Sequence, residues 1–206
     1  AARGEKNAAP VNFGLVARLG AGDAAKWVLD DAAPIAHRVP PRSEHTELET
    51  CAPCHARRAT LRETRLPGEP LLATHRPALL EPGLYEADGQ MRDEVYDYGS
   101  FLQSRMHAAG VTCSDCHDPH STKLRAEGDA MCGRCHRESV YATPQHHHHD
   151  PDSAGARCVA CHMPARTYML VDVRHDHSFR VPRPDLSVAI RAPNACSDCH
   201  RDREAK

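Results

Sequence analysis

The chain has 206 residues and a formal net charge of −2, with ten cysteines, sixteen histidines, sixteen prolines and only 4% aromatic residues. So few aromatic side chains are a poor basis for burying a hydrophobic core in a chain of this length. The near-neutral charge argues against a nucleic-acid partner, and no apolar stretch of the sequence approaches the roughly 18 residues that a membrane-spanning helix needs.

Short helices are the expected regular structure, because prolines and glycines interrupt the chain too often for long helices or a wide sheet. Thr46 and Glu49 fit a capping box, Asp129 and Asn194 are suitable N-cap residues, and Gly110 is a suitable helix stop. No segment has a convincing strand pattern, so the predicted fold class is mainly α with extensive irregular loops and little or no β. The predicted helices are 12–19, 23–30, 46–60, 94–108, 129–139 and 194–203.

All ten cysteines occur in five CXXC pairs, and a histidine follows each pair directly. CXXCH is the attachment motif of c-type haem. The two thiols bind the vinyl groups of the porphyrin, and the adjacent imidazole is placed as the proximal ligand of the iron. Along the chain the motifs are motif 1 (Cys51, Cys54, His55), motif 2 (Cys113, Cys116, His117), motif 3 (Cys132, Cys135, His136), motif 4 (Cys158, Cys161, His162) and motif 5 (Cys196, Cys199, His200).

Two other uses of CXXC pairs agree less well with this pattern. Zinc ribbons take two pairs per site, which would leave one of the five pairs over. Disulfides and thioredoxin-like redox sites have no need of a histidine after every pair. We therefore predict five covalently attached haem c groups, and we expect the haem stack to serve as the core of the fold.

The spacing of the motifs suggests how the chain is organised. Residues 1–45 are predicted to be an N-terminal helical and linker segment, and residues 46–206 a pentahaem cytochrome c domain. Because c-type haem is attached outside the cytoplasm, the expected location is periplasmic or extracellular. The chain shows no signal peptide, which suggests a mature or trimmed form.

Histidines outside the motifs are candidates for the sixth iron ligand, and every segment that leads to a motif contains at least one. Five irons with bis-histidine ligation need five distal imidazoles, so we favour histidine over methionine in this role. His120 is the only spare histidine in its segment, and His107 lies at the end of the predicted helix 94–108. Met163 directly follows a proximal histidine and cannot reach the opposite face of the same iron.

Four consecutive histidines, 146–149, lie between motifs 3 and 4. If this stretch is extended, alternate side chains point to opposite sides, and the run could serve two haems. Four adjacent residues cannot all bind iron, so the others would bind propionates or face water. We predict His147 and His148 as the ligands of the run.

Several longer stretches carry a family resemblance, among them ETCAPCHARRA, GVTCSDCHDPHS, ARCVACHMPARTYM and PNACSDCHRD. From about residue 49 to 203 the chain resembles bacterial multihaem c-type cytochromes of the paired-CXXCH type that carry tetratricopeptide repeats after the haem region. The resemblance implies a multihaem cytochrome c fold, in which the four-histidine run also recurs. It places His75, His107, His120 and His177 as distal ligands and leaves His37, His45 and His175 outside the pattern.

The predicted function is electron transfer through closely packed, mostly bis-histidine-ligated haems, with redox proteins or neighbouring cytochrome subunits as partners. One alternative is a subunit of an extracellular haem filament, built by a head-to-tail interface that does not close. Another is a nitrite- or hydroxylamine-type oxidoreductase, which needs one iron with an open sixth position. We favour a carrier over an enzyme, because all five motifs end in histidine and spare histidine is plentiful.

Overall fold

Short helices and small antiparallel sheets, joined by long loops, make up the computed structural model, which describes residues 25–66 and 68–203. This architecture confirms the predicted fold class. The helices are α1 Thr46–His55, α2 Asp97–Leu102, α3 Arg105–Ala108, α4 Cys113–Cys116, α5 Ala130–Gly133, α6 Glu138–Tyr141, α7 Pro144–His147, α8 Cys158–His162, α9 Pro184–Ile190 and α10 Ala195–Cys199. Single 3-10 turns occur at Leu71–Ala73 and Ala154–Ala156.

Three two-stranded antiparallel sheets are present in the described residues, although no strand was predicted individually. Each pair consists of strands that are neighbours along the chain, so the sheets are local hairpin-like pairs and no large sheet forms. The strands are β1 Lys26–Val28 with β2 His37–Val39, β3 Arg58–Thr60 with β4 His75–Pro77, and β5 Ala165–Tyr168 with β6 Asp172–His175.

The predicted helix 23–30 is wrong over its described part, because β1 occupies Lys26–Val28. Trp27 lies opposite Arg38 in the ladder. A tight turn, in which the Ala33 N–H donates to the Asp30 carbonyl at 3.0 Å, begins the return of the chain. Tryptophan and valine favour strands, and the pairing outweighs the weak helical pattern. The predicted helix 12–19 lies outside the described residues.

Helix α1 begins at the predicted residue but ends at His55, five residues earlier than predicted. The chain becomes extended at Ala56 and enters β3, whose pairing with β4 replaces the last helical turn. The predicted capping box is also wrong: His45 is the N-cap and makes no side-chain capping bond. The Glu49 carboxylate instead accepts a hydrogen bond from the Leu71 N–H at 2.5 Å.

The predicted helix 94–108 is present as two shorter helices, α2 and α3. Ser104 separates them and caps α3, because its hydroxyl accepts from the His107 N–H at 3.0 Å. Gly110 ends α3 as predicted, with φ of +90°, a conformation that glycine adopts without strain. The Gly110 N–H bonds to the His107 carbonyl and the Val111 N–H to the Met106 carbonyl, which together form a Schellman motif.

The last two predicted helices are also shorter than expected. The helix predicted at 129–139 is divided into α5 and α6 by a turn, and the helix predicted at 194–203 ends at Cys199. Helix α5 ends at Gly133, before the second cysteine of motif 3, and α10 ends directly before the proximal His200. A helix that continued past the motif would leave less room for a bulky group beside the thiols.

The protein core of the described residues is small. One buried cluster contains Leu48, Leu71, Tyr98 and Phe101, and a second contains Tyr85, Met91, Val95 and Tyr168. Both clusters lie around α1, α2 and the loop between them, while motifs 3, 4 and 5 have no such cluster among the described residues. In the part of the chain that the structure describes, no helix has the length and apolar character needed to cross a membrane.

Candidate haem-binding sites

Each CXXCH motif forms a helix or a helical turn, carried by α1, α4, α5, α8 or α10. One turn of helix places residues three positions apart on the same face, so the two thiols of a motif lie together. The histidine N–H bonds back to the carbonyl of the first cysteine in motifs 2, 3 and 5, at 2.8, 2.9 and 2.8 Å. The backbone of each motif therefore presents two thiols and one imidazole as a unit, as covalent haem attachment requires.

Two of the motif helices begin with local side-chain caps. Asn194 is the N-cap of α10 as predicted, and its side-chain oxygen accepts from the Ser197 N–H at 3.1 Å. At α4, Thr112 and Asp115 form a capping box, and the Thr112 N–H donates to the Asp115 carboxylate at 2.8 Å. The sequence analysis missed this box, although the T-x-x-D pattern of TCSD is its usual signature.

Carboxylates from one motif also hold the helix of another. Glu47, on α1, accepts from both the backbone N–H and the hydroxyl of Ser114 at 2.7 Å, which ties motif 1 to motif 2. Asp129 stands before α5 as predicted, but its side chain makes no capping bond to that helix. Its carboxylate accepts from the Cys158 N–H at 3.1 Å and pairs with Arg157 at 3.0 Å, so it ties motif 3 to motif 4.

Cysteines of successive motifs come close in space. The Cys51 and Cys113 thiols lie close enough that their interaction lowers the pKa of Cys51 and raises that of Cys113, which brings motifs 1 and 2 together. The Cys132 and Cys158 thiols do the same for motifs 3 and 4. Cys51 and Cys113 are 62 positions apart in the sequence, and the segment between their motifs contributes most of the buried core residues.

Motif 2 also lies near motif 3, and motif 4 near motif 5, because cysteines of the later motif affect the pKa of a cysteine in the earlier one. Burial and the neighbouring Asp115 raise the pKa of Cys116 to about 11, with a further contribution from Cys135 of motif 3. Burial also raises the pKa of Cys161, and Cys196 and Cys199 of motif 5 raise it further. Helices α8 and α10 pack against each other at this point. The motifs therefore follow one another in space in the same order as in the sequence.

The described part of the N-terminal segment lies against motifs 2 and 3. The Trp27 indole N–H donates to the Asp115 carboxylate at 2.9 Å, and the Arg42 guanidinium donates to the Gly110 carbonyl at 2.7 Å. The Ala36 N–H donates to the Cys135 carbonyl at 2.8 Å. The division into 1–45 and 46–206 stays a prediction, but residues 25–45 contribute directly to the support of the motifs.

Three proximal histidines have a second imidazole at a distance that suits an iron between them. The ring centroids are 6.4 Å apart for His117 and His177, 6.0 Å for His162 and His146, and 5.9 Å for His200 and His149. Two imidazoles bonded to one metal at about 2 Å have their ring centres about 6 Å apart. The two rings of each pair are also within 30° of parallel.

Backbone carbonyls fix the tautomer of one imidazole in each of these pairs. Nδ1 of His162 lies 2.8 Å from the Arg180 carbonyl oxygen. Nδ1 of His177 lies 2.9 Å from the His175 carbonyl oxygen, and Nδ1 of His149 lies 2.5 Å from the His147 carbonyl oxygen. A carbonyl oxygen only accepts, so Nδ1 carries the proton and Nε2 keeps its lone pair. Metal-binding histidines are usually held in this way, with the other ring nitrogen free for the metal.

Burial keeps several of these imidazoles neutral. It lowers the pKa of His117, and the facing His177 lowers it further. Burial also lowers the pKa of His136 and His146, and the neighbouring His162 lowers both pKa values further. A neutral imidazole is the form that binds a metal, so the environment favours the ligand state of these side chains.

The four-histidine run is not extended, so its side chains do not alternate as those of an extended run would. Residues Pro144–His147 form the helical turn α7, and His148 follows with a left-handed φ of 60°. The turn directs His146 to motif 4 and His149 to motif 5. His147 and His148, which we predicted as ligands, have no ring contact with a proximal histidine in the described residues.

Gly155 provides the space for His149. A Cβ atom at this position would overlap the His149 ring, lying 2.7 Å from both Cγ and Nε2 and closer still to Cδ2. The ring therefore packs directly against the 3-10 turn that leads into motif 4. The sequence offered no clear signal for this contact, because a glycine between two alanines has many uses.

The other predicted distal ligands are placed in three different ways. His75 is buried on β4, and its Nδ1 lies 2.8 Å from the Thr74 hydroxyl. The His107 and His45 ring centroids are only 4.9 Å apart, which is too close for an iron between the two rings. His120 is exposed on the loop after motif 2, where its N–H donates to the Asp118 carboxylate at 3.1 Å.

The histidines that lie outside the family pattern have partners of their own. His37 pairs with Asp30 at 3.5 Å, and the His175 Nδ1 donates to the Met163 carbonyl at 2.6 Å. Neither is paired with a motif histidine in the described residues.

The surroundings of the motifs fit a large apolar cofactor with two axial imidazoles. Leu124 beside motif 2, Val140 beside motif 3 and Val188 before motif 5 are exposed apolar side chains that a porphyrin could cover. Within the described residues, no group of three or more histidine, cysteine and acidic side chains is arranged to hold a metal ion. Pairs of imidazoles with nearby thiols match haem better than a zinc ribbon.

Comparison with known proteins agrees with this reading. Residues 106–140, which contain motifs 2 and 3, match the family described as the doubled CXXCH motif. Among solved structures, the chain is similar to outer cell wall cytochrome OcwA, with a TM-score of 0.53 and 17% sequence identity over 80% of this chain. The chain has the fold of a multihaem c-type cytochrome. No curated protein matches the cytochrome's sequence.

The predicted resemblance to multihaem cytochromes is therefore confirmed, and the CXXCH motifs indicate covalently bound haem c. The cytochrome spans 50% of the length of the OcwA chain. The association with tetratricopeptide repeats stays a prediction.

Proposed function

We propose that this multihaem cytochrome transfers electrons along a row of five haems that follows the order of the motifs. The observation that carries the proposal is the contact between successive motifs: Cys51 with Cys113, and Cys132 with Cys158. Thiols this close would hold neighbouring porphyrins edge to edge or face to face. Short separations between haems are what rapid one-electron transfer needs.

We assign the distal ligands of motifs 2, 4 and 5 to His177, His146 and His149. The distance between the two rings of each pair supports this assignment. In each pair one imidazole also donates from Nδ1 to a backbone carbonyl, which leaves its Nε2 free. The distal ligands of motifs 1 and 3 stay open among His75, His107 and His120. His75 is our first choice for motif 1, because β4 pairs with the strand that directly follows α1.

Bound haem supplies one-electron exchange between Fe(III) and Fe(II), and the chain's residues set the conditions for it. Paired imidazoles keep an iron six-coordinate in both states, which limits rearrangement on transfer and implies low reduction potentials. The hydrogen bonds to Nδ1 fix the orientation of each ring. Glu47 and Asp129 hold adjacent motif helices together and so hold the distance between neighbouring porphyrins.

The two ends of the row are the most accessible part of it. Cys54 of motif 1 and both cysteines of motif 5 are exposed, while the cysteines of motifs 2, 3 and 4 are half-buried. Redox partner proteins or neighbouring cytochrome subunits would therefore exchange electrons at motifs 1 and 5. We place this activity in the periplasm or outside the cell, where c-type haem is attached.

Redox titration of the haem-loaded cytochrome with optical and EPR detection tests this function. We expect all haems to be low-spin in both oxidation states and to titrate reversibly at low potential, without binding added cyanide or nitrite. A high-spin iron that binds nitrite would instead support the alternative of a catalytic reductase, for which the described residues offer no specific observation.

A haem filament is a second candidate, and the exposure of motifs 1 and 5 at opposite ends of the motif series favours it. Head-to-tail contact of these ends would continue the row from one subunit to the next. Light scattering at micromolar concentration separates the two candidates. Particles that grow with concentration support the filament, and a constant monomer mass supports the soluble carrier.

A further inference from the structure

Asp97, the first residue of α2, lies between two histidines that belong to different haem sites. Its Oδ1 is 3.0 Å from Nδ1 of His177, and its Oδ2 is 3.9 Å from Nδ1 of His55. His55 is the proximal histidine of motif 1. His177 faces His117 of motif 2 at 6.4 Å between ring centroids. One carboxylate therefore reaches ligand imidazoles on either side of the boundary between motifs 1 and 2.

We propose that Asp97 is a positioning residue that orients and polarises the axial imidazoles of two neighbouring haems at once. The inference rests on the proposed function, specifically on His55 and His177 as axial ligands of motifs 1 and 2. It assigns a role to a residue that lies in neither motif and makes no contact with a porphyrin-binding thiol. A consequence is that the reduction potentials of these two haems are set partly by the same carboxylate.

The chemistry follows from the carboxylate beside each Nδ1, which is within hydrogen-bond distance at His177 and makes a longer electrostatic contact at His55. A carboxylate that accepts from Nδ1–H makes the imidazole a stronger electron donor through Nε2. Stronger donation stabilises Fe(III) relative to Fe(II) and lowers the reduction potential of that haem. A neutral carbonyl has the same effect to a smaller degree. His177 has both partners, since its Nδ1 also lies 2.9 Å from the His175 carbonyl.

The surroundings of Asp97 keep the carboxylate in place. Asp97 and His177 are both partly buried, with 31% and 26% of the side chain exposed, so solvent screens their interaction less than that of a surface pair. Tyr96, the N-cap of α2, has a φ of 60° that turns the chain sharply into the helix. The position of the carboxylate is thus fixed by the helix start as well as by its partners.

The test is a redox titration of Asp97→Asn, resolved haem by haem with EPR. Asparagine has nearly the same shape and still accepts a hydrogen bond, but it lacks the charge. We expect the haems at motifs 1 and 2 to move together to more positive potential, with altered EPR g-values, while the other three stay unchanged. Asp97→Ser is a second variant, because serine suits the start of a helix. We expect it to move the potentials of the same two haems in the same positive direction.

Asp93→Asn is the matched control, because it removes an equal charge close to the same motif. Asp93 is exposed and pairs with Arg57 at 3.0 Å, and no described contact joins it to an axial imidazole. We expect this variant to leave the g-values unchanged and to shift the potentials much less. Equal shifts in both variants, or no shift in Asp97→Asn and Asp97→Ser, overturn the inference.

His177→Ala separates this inference from the proposed function. A high-spin haem at motif 2 in His177→Ala shows that the ligand assignment is right, and the Asp97 variants then decide the inference alone. If His177→Ala leaves every haem low-spin, the ligand assignment fails, and the role of Asp97 fails with it.

Discussion

The imidazole rings of His146 and His162 lie 6.0 Å apart between centroids, with their planes only 13° from parallel. His162 belongs to motif 4, and His146 is the first residue of the four-histidine run. The helical turn at Pro144–His147 produces this pairing, and the left-handed residue after it sends His149 in another direction, toward His200. The run thus supplies one imidazole to each of two successive motifs.

Alanine substitutions within the run test this assignment with internal controls. We expect His146→Ala and His149→Ala each to convert one haem from low-spin to high-spin, because each removes a sixth ligand. His147→Ala and His148→Ala are the matched controls and should leave all haems low-spin. EPR or resonance Raman of the four variants gives the answer. High-spin signals in the controls but not in the first two variants would reverse the assignment.

Gly155→Ala tests the contact that admits His149. An added methyl group would overlap the His149 ring, which would have to shift away from its position. We expect a fraction of the haem at motif 5 to become high-spin, with the other haems unaffected. Ala154→Ser, which adds one atom to an exposed neighbour in the same turn, should have no spectral effect. Identical spectra for both variants and the parent would show that His149 does not depend on Gly155.

The cap of α10 contributes measurably to stability around motif 5. Asn194 is buried and accepts from the Ser197 N–H, and its amide also donates to the Ser187 hydroxyl. We expect Asn194→Ala to lower the free energy of unfolding by about 1–2 kcal/mol, as measured by guanidinium denaturation. Asn194→Ser keeps a capping oxygen and should cost less. Equal losses for the two variants would mean that the cap itself contributes little.

Alkaline pH should destabilise the fold through Tyr98. Burial and the nearby Glu49 together raise the pKa of Tyr98 to about 12. The folded state therefore needs the neutral phenol, and this contribution is complete below the unfolded pKa of about 10 and is lost as the pH rises from 10 to 12. Unfolding free energies measured across this range should fall less steeply in Tyr98→Phe than in the parent chain. Parallel slopes would contradict the assignment.

The sequence predicted the chemistry of this cytochrome better than its geometry. CXXCH is a local code, so the five motifs could be read directly from the residues, and the family match covers motifs 2 and 3. The cap at Asn194 and the stop at Gly110 are local in the same sense and are both present. These features depend on residues within a few positions of one another.

Features that depend on distant residues were not predictable in the same way. Asp129 looks like the cap of its own helix, yet it bonds to Cys158, which is 29 positions away. Lys26–Val28, within the helix predicted at 23–30, form a strand because β2 is available to pair with them. In the four-histidine run, a single left-handed residue decides which ring meets which motif, and no periodic pattern signals such a residue.

Peptide mapping of the mature, haem-loaded cytochrome by mass spectrometry tests the central claim most directly. We expect five haem-bearing peptides, one for each motif, with both cysteines of every motif bound as thioethers. Peptides in which a motif keeps two free thiols or carries a disulfide would contradict the row of five haems.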